Sequence, residues 1–408
     1  MSGRVLPSLA GAEWLNRPQT QAVFAALAAA GHEARAVGGS VRNALMGLPA
    51  SDTDIATTAL PAETVAAARA AGLAAVPTGI EHGTVTVVVG HVPYEVTTLR
   101  RDVATDGRRA VVAFTHDWAQ DARRRDFTMN ALYCSVDGTV FDPLDGYDDL
   151  LARQVRFIGD PAERIREDYL RILRFFRFHA TYGAGDLDGD GARACVRLRE
   201  GLRQLSAERI GGEMMKLLVA PRAIEAVYAM FDFGLLVDVL ASAPRLQRFA
   251  RMVELETSTR ANVDAALRLA ALAVHATEDG QRLAERLRLS GEQRAILEST
   301  GPAFTRETSE RNARIALYRL GYAGYNRQLQ LDWVSQGEAI SDERWLNLLT
   351  LPDRLPIQKL PLTGRDLLAL GFAPGPKLGE TLRRLEQYWI ESDFTADAEA
   401  LKALARHL

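Results

Sequence analysis

Two aspartates separated by one residue, Asp52 and Asp54, are the side chains of this sequence best suited to hold a metal ion. They lie at the start of a predicted strand, Thr53–Thr57, and alternate side chains of a strand point to the same face. Two carboxylates on one face repel each other unless a cation lies between them. Because Mg²⁺ is often held by carboxylates and substrate phosphates, the pair predicts a magnesium site. Glu95, on another predicted strand, is a candidate third ligand, and a merely polar strand end is the alternative.

A glycine pair precedes the aspartates, in the segment Gly38-Gly39-Ser40-Val41-Arg42 between a predicted strand and a predicted helix that Ser40 would cap. Glycine lets the backbone approach a ligand closely, and free N–H groups at the start of a helix favour a phosphate. We therefore expect Gly38 and Gly39 to face phosphates, with Arg42 adding charged donors. A tight turn without a ligand is the alternative for this motif taken alone.

A third candidate segment is Arg124–Ala131, which begins with two arginines and an aspartate. The functional interpretation places Arg125 on a phosphate, and Asp126 or Asn130 near a ribose. The alternative is a solvated helix end followed by a strand.

The fourth motif is a helix start, Asp160-Pro161-Ala162-Glu163, with a capping aspartate and proline at the first helical position. Apolar residues at helical spacing carry this predicted helix to about Ala180. On its polar side Asp168 and Arg171 are neighbours three residues apart, Glu167 can contact Arg171 from four residues away, and Arg174 follows. An acceptor beside a donor complements cytosine and adenine and mismatches guanine and uracil, at about 1–3 kcal/mol for each wrong pairing. An ordinary charged helix face is the alternative.

The elements around these motifs predict an α+β fold. Strand and helix patterns alternate over the first ~150 residues and give way to helices alone beyond about Arg153. Thr84–Val89 and Tyr94–Thr98 are typical of a β-hairpin. The polar stretch Arg100–Asp117 has few apolar anchors, so we expect a mobile loop there.

Composition limits the protein class. The 408 residues are 47% hydrophobic and 25% charged, with a net charge of −3, which excludes disorder and a globally basic nucleic-acid coat. Cys134 and Cys195 have neither metal-ligand spacing nor a disulfide framework. We expect a cytoplasmic protein with no secretory signal and no membrane helix.

Together the four motifs resemble the bacterial-type (class II) CCA-adding tRNA nucleotidyltransferases and their relatives, the bacterial poly(A) polymerases, within the DNA polymerase β nucleotidyltransferase superfamily. The resemblance is strong over residues 33–216, where the Ser206–Ile210 motif continues the family pattern, and weaker at Leu362–Leu367 and Gly375–Gly379. It implies a catalytic head over residues 1–150 with a small mixed sheet, and then only helices. These would form a neck with the nucleobase template (151–230), a body (231–350) and a tRNA-binding tail (351–408).

The resemblance also implies residue roles. Asp52 and Asp54 would bind the metal, Mg²⁺, with Glu95 as a further catalytic carboxylate. The nucleotide would be held by glycines and arginines of the motifs, and by the template residues that choose C and then A: Gly38, Gly39, Arg42, Arg125, Asp168, Arg171 and Arg174. The implied partners are the tRNA 3′ end (its acceptor arm), CTP and ATP, with neither DNA nor a membrane. The family's usual Asp after Val-Arg is Asn43 here.

Three alternatives stay open. A poly(A) polymerase of the same fold usually has an arginine-rich stretch where this chain has Val76–Gly83, without arginine. An enzyme that adds only A or only C is the second alternative, and the presence of the Arg100–Asp117 stretch argues against C alone. The third is a non-catalytic RNA-binding module, which retention of both aspartates disfavours because their repulsion costs stability unless metal is used.

Overall fold

The computed structural model describes residues 5–50, 52–106, 109–299 and 303–408. The chain forms two compact units, residues 1–241 and residues 242–408. Strands occur in the first unit, and the described part of the second is helical. The predicted α+β class is therefore confirmed, while the four-part division into head, neck, body and tail stays a prediction.

The first unit contains a seven-stranded mixed sheet in the order β3-β4-β5-β2-β1-β8-β9 and a separate two-stranded ribbon, β6-β7. The strands are β1 (Ala34–Val37), β2 (Asp54–Thr57), β3 (Ala74–Gly79), β4 (Thr84–Val89), β5 (Val92–Thr98), β6 (Arg100–Asp106), β7 (Arg109–Phe114), β8 (Tyr133–Cys134) and β9 (Val140–Phe141). β2 and β5 run parallel and the other paired strands run antiparallel. The predicted β4–β5 hairpin is confirmed.

Helices surround the sheet and continue the first unit. They are α1 (Glu13–Asn16), α2 (Pro18–Ala29), α3 (Gly39–Leu45), α4 (Pro61–Ala70), α5 (Trp118–Arg123), α6 (Gly146–Leu151), α7 (Pro161–Glu167), α8 (Leu170–Tyr182), α9 (Gly189–Arg197), α10 (Ala207–Leu218), α11 (Ala223–Asp232) and α12 (Leu235–Leu240). Three 3₁₀ turns lie at Ile80–His82, Thr128–Asn130 and Arg199–Gln204.

The second unit consists of helices in its described part. They are α13 (Leu246–Thr259), α14 (Ala265–Ala273), α15 (Thr277–Arg286), α16 (Gly291–Glu298), α17 (Glu310–Gln336), α18 (Glu343–Leu349), α19 (Leu351–Arg354), α20 (Gly364–Ala369), α21 (Pro376–Glu391) and α22 (Ala398–Ala405). Helix α17 is interrupted at Gly321, whose φ of 67° favours glycine. None of the helices in the described ranges is long and apolar enough to cross a membrane.

Aromatic side chains join the sheet region to α8. Phe127 packs against Phe157 and Phe178, with ring centroids 5.0 Å apart in each pair. Phe157 stacks on Phe175 at 5.4 Å. These rings are buried, so the segment that carries Arg125 and the helix that carries Arg171 are fixed to each other through a shared core.

Three expectations about local structure were wrong. The predicted helix from Asp160 to Ala180 is two helices, because Asp168 is extended (φ −155°, ψ 106°) between α7 and α8. Within the Arg100–Asp117 stretch, Arg100–Asp106 and Arg109–Phe114 are not loop but pair as β6–β7, since a two-stranded ribbon satisfies main-chain groups without an apolar face. Gly38, not Ser40, is the residue before α3.

Candidate active site

One cavity of about 910 Å³ in the first unit contains the residues expected to do chemistry. All ten site residues predicted from the sequence line it: Gly38, Gly39, Arg42, Asp52, Asp54, Glu95, Arg125, Asp168, Arg171 and Arg174. They come from five separate segments of the chain, which the sheet and α8 bring together. The cavity is therefore the candidate site.

The glycine turn forms one edge of this cavity. Gly38 has φ 76° and ψ −123°, a backbone conformation that residues with a Cβ rarely adopt. A Cβ atom there would meet nothing within 4 Å, so the dihedral angle rather than the space requires glycine. The N–H of Arg42 donates to the carbonyl of Gly38 at 2.9 Å, which closes the first turn of α3.

Arg42 is buried, with 5% of its surface exposed, and its guanidinium is held by uncharged partners. Its Nε and Nη2 donate to the Asn43 side-chain oxygen at 3.1 and 2.8 Å. Nη1 donates to Asn130 at 2.6 Å, and Nη2 donates to the Tyr182 hydroxyl at 2.7 Å. Desolvation lowers the pKa of Arg42 from its ordinary value. The sequence does not reveal these partners, because Asn130 and Tyr182 are 88 and 140 residues away.

Asn43 occupies the position of the aspartate usual in the resembling family. Its Oδ1 accepts from Arg42, and its Nδ2 donates to the carbonyl of Pro49 at 2.9 Å. A carboxylate cannot make the second bond because it has no N–H. The amide therefore keeps the contact with Arg42 without neutralising the charge.

The aspartate pair lies beside Glu95. Ile55 and Val96 are partners in the parallel β2–β5 register, so Asp54 and Glu95 each precede one of two paired residues. Desolvation, followed by the charges of Glu95 and Asp52, raises the pKa of Asp54 to about 6, although Arg125 opposes this. Accumulated negative charge of this kind favours a cation. Among the described residues, no group of three or more His, Cys, Asp or Glu side chains is placed to hold a metal.

Arg125 faces this pair and is held from behind. Its Nη2 donates to Asp121 at 3.0 Å and its Nε donates to the Tyr133 hydroxyl at 3.2 Å. Burial lowers the pKa of Arg125, but Tyr133 and Asp121 outweigh it and raise that pKa above the ordinary value. Burial likewise opposes ionisation of Asp121, yet Arg125 and Arg124 bring the pKa of Asp121 down to about 2. Arg125 is therefore a fixed cation at the cavity wall.

Asp126 and Asn130 connect the arginines of two different segments. Asn130 Nδ2 donates to Asp126 Oδ1 at 2.9 Å, while Arg42 donates to the Asn130 oxygen. Arg174 Nε donates to Asp126 Oδ2 at 2.9 Å. Burial alone would raise the pKa of Asp126, but the contacts with Arg174 and Asn130 lower it to about 2. The chain of contacts therefore runs from α3 to α8, and Arg174 contacts a carboxylate in this structure.

Asp168 and Arg171 have partners that sequence reasoning missed, apart from Glu167. Asp168 Oδ1 accepts from the N–H of Leu170 at 3.1 Å, at the start of α8. Its Oδ2 accepts from Arg209 Nη2 at 2.7 Å. Arg171 Nη1 donates to Glu167 at 2.5 Å, as predicted for residues four apart, and to the carbonyl of Arg164 at 2.8 Å.

The guanidinium of Arg171 is fixed on one side only. Its Nη2 donates to the carbonyl of Arg124 at 3.2 Å, in addition to the two Nη1 contacts. Its Nε–H and one N–H of Nη2 contact no acceptor in the described part of the chain. Arg171 therefore keeps donors for a ligand while its orientation is set by the protein.

Helix α10 adds residues to the site that the motifs did not assign. Arg209 and Lys216 line the cavity. Glu213 is buried and accepts from Arg177 Nε at 2.5 Å. The Ser206–Ile210 motif could have indicated Arg209, but its spacing alone does not show that this side chain reaches Asp168.

The cavity is locally basic in a chain whose net charge is −3. Seven basic and five acidic side chains line it. Arginine binds phosphates through paired donors, so the excess positive charge suits a polyphosphate ligand.

Three family models match the chain. "Poly A polymerase head domain" matches residues 34–156, "Probable RNA and SrmB-binding site of polymerase A" matches residues 186–247, and "tRNA nucleotidyltransferase domain 2 putative" matches residues 259–405. The head model thus covers the glycine turn, the aspartate pair and Arg125.

Named relatives match over nearly the whole chain. The CCA-adding enzyme of Streptococcus gordonii is 36% identical over 396 residues, covering 93% of this chain and 95% of its own. The mitochondrial CCA tRNA nucleotidyltransferase 1 of mouse (Mus musculus) is 32% identical over 397 residues, covering 91% and 86%. The crystal structure of the Bacillus stearothermophilus CCA-adding enzyme in complex with CTP is similar at a TM-score of 0.73 and 28% identity, covering 96% of this chain and 98% of that one.

Proposed function

The chain belongs to the family of CCA-adding tRNA nucleotidyltransferases, and on this premise we propose that it adds the 3′-terminal CCA to tRNA from CTP and ATP. The observation that carries the proposal is that an aspartate pair, a glycine turn, a basic wall and the Asp168–Arg171 pair meet in the same cavity. Each incoming nucleotide would bind with its phosphates near the glycine turn and its base near α8.

In the reaction, the 3′-hydroxyl of the tRNA attacks the α-phosphorus of the nucleotide. A new P–O bond forms, the bond between the α-phosphorus and the bridging oxygen breaks, and pyrophosphate leaves. Arg125 stabilises the growing negative charge, since it is fixed by Asp121 and Tyr133 and needs no reorganisation.

The residues fit a divalent metal, as is general for polymerase-type nucleotidyltransferases, and Mg²⁺ is our specific assignment. Asp52 and Asp54 would hold it, because desolvation and a neighbouring carboxylate already raise the pKa of Asp54 to about 6. When bound, it would activate the attacking hydroxyl and neutralise the departing pyrophosphate. Glu95 adds negative charge beside the pair and is not assigned as a ligand.

Base selection is assigned to Asp168 and Arg171, with Arg174 in support. Asp168 presents acceptors and Arg171 presents donors, which match the pairing edges of cytosine and adenine. Arg209 occupies one oxygen of Asp168, so a base must share that carboxylate with it or displace it. Arg174 donates to Asp126, and both side chains line the cavity.

The tRNA would be held mainly by the helical second unit, through phosphate contacts and shape. The tail over residues 351–408 would be the tRNA-binding part of this unit. We place the protein in the cytoplasm, where the two buried thiols, Cys134 and Cys195, would stay unpaired.

The test supplies Mg²⁺, tRNA lacking its 3′ CCA, and each labelled NTP alone or CTP with ATP. We expect two C and one A in order with wild type, and none with Asp54→Asn. The matched control is Asp232→Asn, an exposed aspartate on α11, which should leave addition unchanged. A long A tail would instead indicate a poly(A) polymerase, C or A alone a split pathway, and RNA binding without incorporation a non-catalytic module.

A further inference from the structure

Asp121, on α5, is a buried carboxylate behind the cavity wall, and it does not itself line the cavity. Four donors converge on its two oxygens. Oδ1 accepts from Arg124 Nε at 2.8 Å and from the backbone N–H of Arg100 at 3.3 Å. Oδ2 accepts from Arg125 Nη2 at 3.0 Å and from the Tyr133 hydroxyl at 2.8 Å. A carboxylate has about four acceptor positions, so Asp121 is fully used.

The contacts of the two oxygens lead to different places. Oδ2 contacts Arg125, which lines the cavity and whose positive charge favours the ionised form of Asp54. The Oδ1 side leads to Arg100, the first residue of the β6–β7 ribbon. The ribbon ends at Phe114, and α5 starts at Trp118, four residues later. The chain therefore passes from the ribbon into the helix that carries Asp121. The first residue of the ribbon thus contacts this helix through Asp121, and the last strand of the ribbon leads into the same helix.

We propose that Asp121 is a positioning residue that fixes Arg125 for the nucleotide and ties it to the base of the β6–β7 ribbon. The inference rests on the proposed nucleotide-binding role of Arg125. A movement of the ribbon at Arg100 would pull on the same carboxylate that orients Arg125. Asp121 touches no reacting atom, so its effect on the reaction passes through Arg125.

Tyr133 gives a milder way to disturb the same contact. Its hydroxyl donates to Asp121 and accepts from Arg125 Nε, while its ring packs edge-on against Trp118 with centroids 5.4 Å apart. Tyr133→Phe keeps the ring and the charge of Asp121 and removes one bond to each partner. It leaves the contact between Oδ1 and Arg100 in place.

The experiment measures KM for CTP and kcat in full-length Asp121→Asn, Tyr133→Phe and Arg125→Ala, and in the double variants with Arg125→Ala. We expect Arg125→Ala and Asp121→Asn to raise KM about 10-fold or more, and Tyr133→Phe about 3-fold or more, as for loss of charge-assisted hydrogen bonds. With Arg125→Ala already present, the other two changes should alter KM by less than about 2-fold, because they act through the missing side chain. Hydrogen exchange should accelerate at Arg100 in Asp121→Asn and stay unchanged in Tyr133→Phe.

The control is Asp117→Ala, at the N-cap of the same helix. Asp117 caps α5 by accepting from the N–H of Ala119 at 2.8 Å, so its loss should lower the melting temperature and leave KM unchanged. If Arg125→Ala itself leaves KM unchanged, the proposed role of Arg125 fails. If Arg125→Ala raises KM but Tyr133→Phe does not, or if the effects add in the double variants, the positioning role of Asp121 is overturned. If Asp121→Asn does not fold, the Tyr133→Phe pair of measurements decides.

Discussion

Replacing Asp54 by Asn should stabilise the metal-free protein at neutral and alkaline pH while abolishing its activity. In the folded chain the pKa of Asp54 is raised to about 6, first by desolvation and then by Glu95 and Asp52. An ionised Asp54 is therefore a cost to folding above that pH. Asn keeps the size of the side chain and removes the charge, so it removes the cost.

The magnitude follows from the difference between the ordinary pKa of 3.8 and about 6. Without screening, that difference corresponds to roughly 3 kcal/mol. Because Asp54 borders an open cavity and is exposed, solvent screening reduces the effect, and we expect roughly 1 kcal/mol. For a unit of this size, that raises the melting temperature by about 2–4 °C.

The sign depends on pH. A raised carboxyl pKa means that the folded state holds its proton more tightly, so wild-type stability falls as pH rises through 3.8 to 6 and the full cost is present above 6. Below pH 3.8 both states are protonated and the variant should gain nothing. Mg²⁺ should stabilise wild type and should have little effect on the variant.

The assay is thermal unfolding in EDTA at pH 8 and pH 4, with Asp232→Asn as the control. The reasoning is refuted if Asp54→Asn melts at or below the wild-type temperature at pH 8, or if its gain is as large at pH 4.

Three further predictions concern other parts of the chain. Burial, followed by the nearby charge of Arg222, lowers the pKa of His179 to about 4. Wild type should therefore lose stability as pH falls from 6.5 to 4, and His179→Gln should lose about 3 kcal/mol less over the same range. Urea unfolding measures both losses, and equal losses would contradict this prediction. Arg268→Met should cost roughly 3–5 kcal/mol because it leaves the buried Glu256 unpaired, and adding Glu256→Leu should recover most of it in the same assay. Affinity for tRNA, measured by filter binding, should fall at least ~10-fold between 50 and 200 mM salt. An affinity that does not change with salt would contradict binding through the tRNA phosphates.

Local patterns were sufficient for many of the elements and for the ten predicted residues of the cavity. Asp160 caps α7 as predicted, with its Oδ1 accepting from the N–H of Glu163 at 2.8 Å. Asp54 begins β2 and Glu95 lies on the adjacent β5, and both line the cavity together with Asp52, which precedes β2. These features depend on nearest neighbours along the chain, which is why the sequence reveals them.

Tertiary partners explain what sequence reasoning missed. The periodicity of the segment around Asp168 is helical, but its carboxylate bonds to Leu170 and to Arg209, 41 residues away, and the helix divides there. Arg42 was expected to bind phosphate, and its donors contact the adjacent Asn43 as well as Asn130 and Tyr182, which are distant in the chain. Packing of the fold determines which long side chains of different segments contact each other. The spacing of residues within one segment does not show these contacts.

The central claim, that one cavity both transfers the nucleotide and reads its base, is tested most directly by kcat/KM for CTP and UTP in Asp168→Asn. An amide offers a donor where Asp168 offers only acceptors, so it tolerates a carbonyl on the incoming base. We predict that the preference for CTP over UTP falls by about 10- to 100-fold, as one mispaired group of about 1–3 kcal/mol implies. A preference equal to that of wild type, with only a lower rate for both nucleotides, would contradict the account.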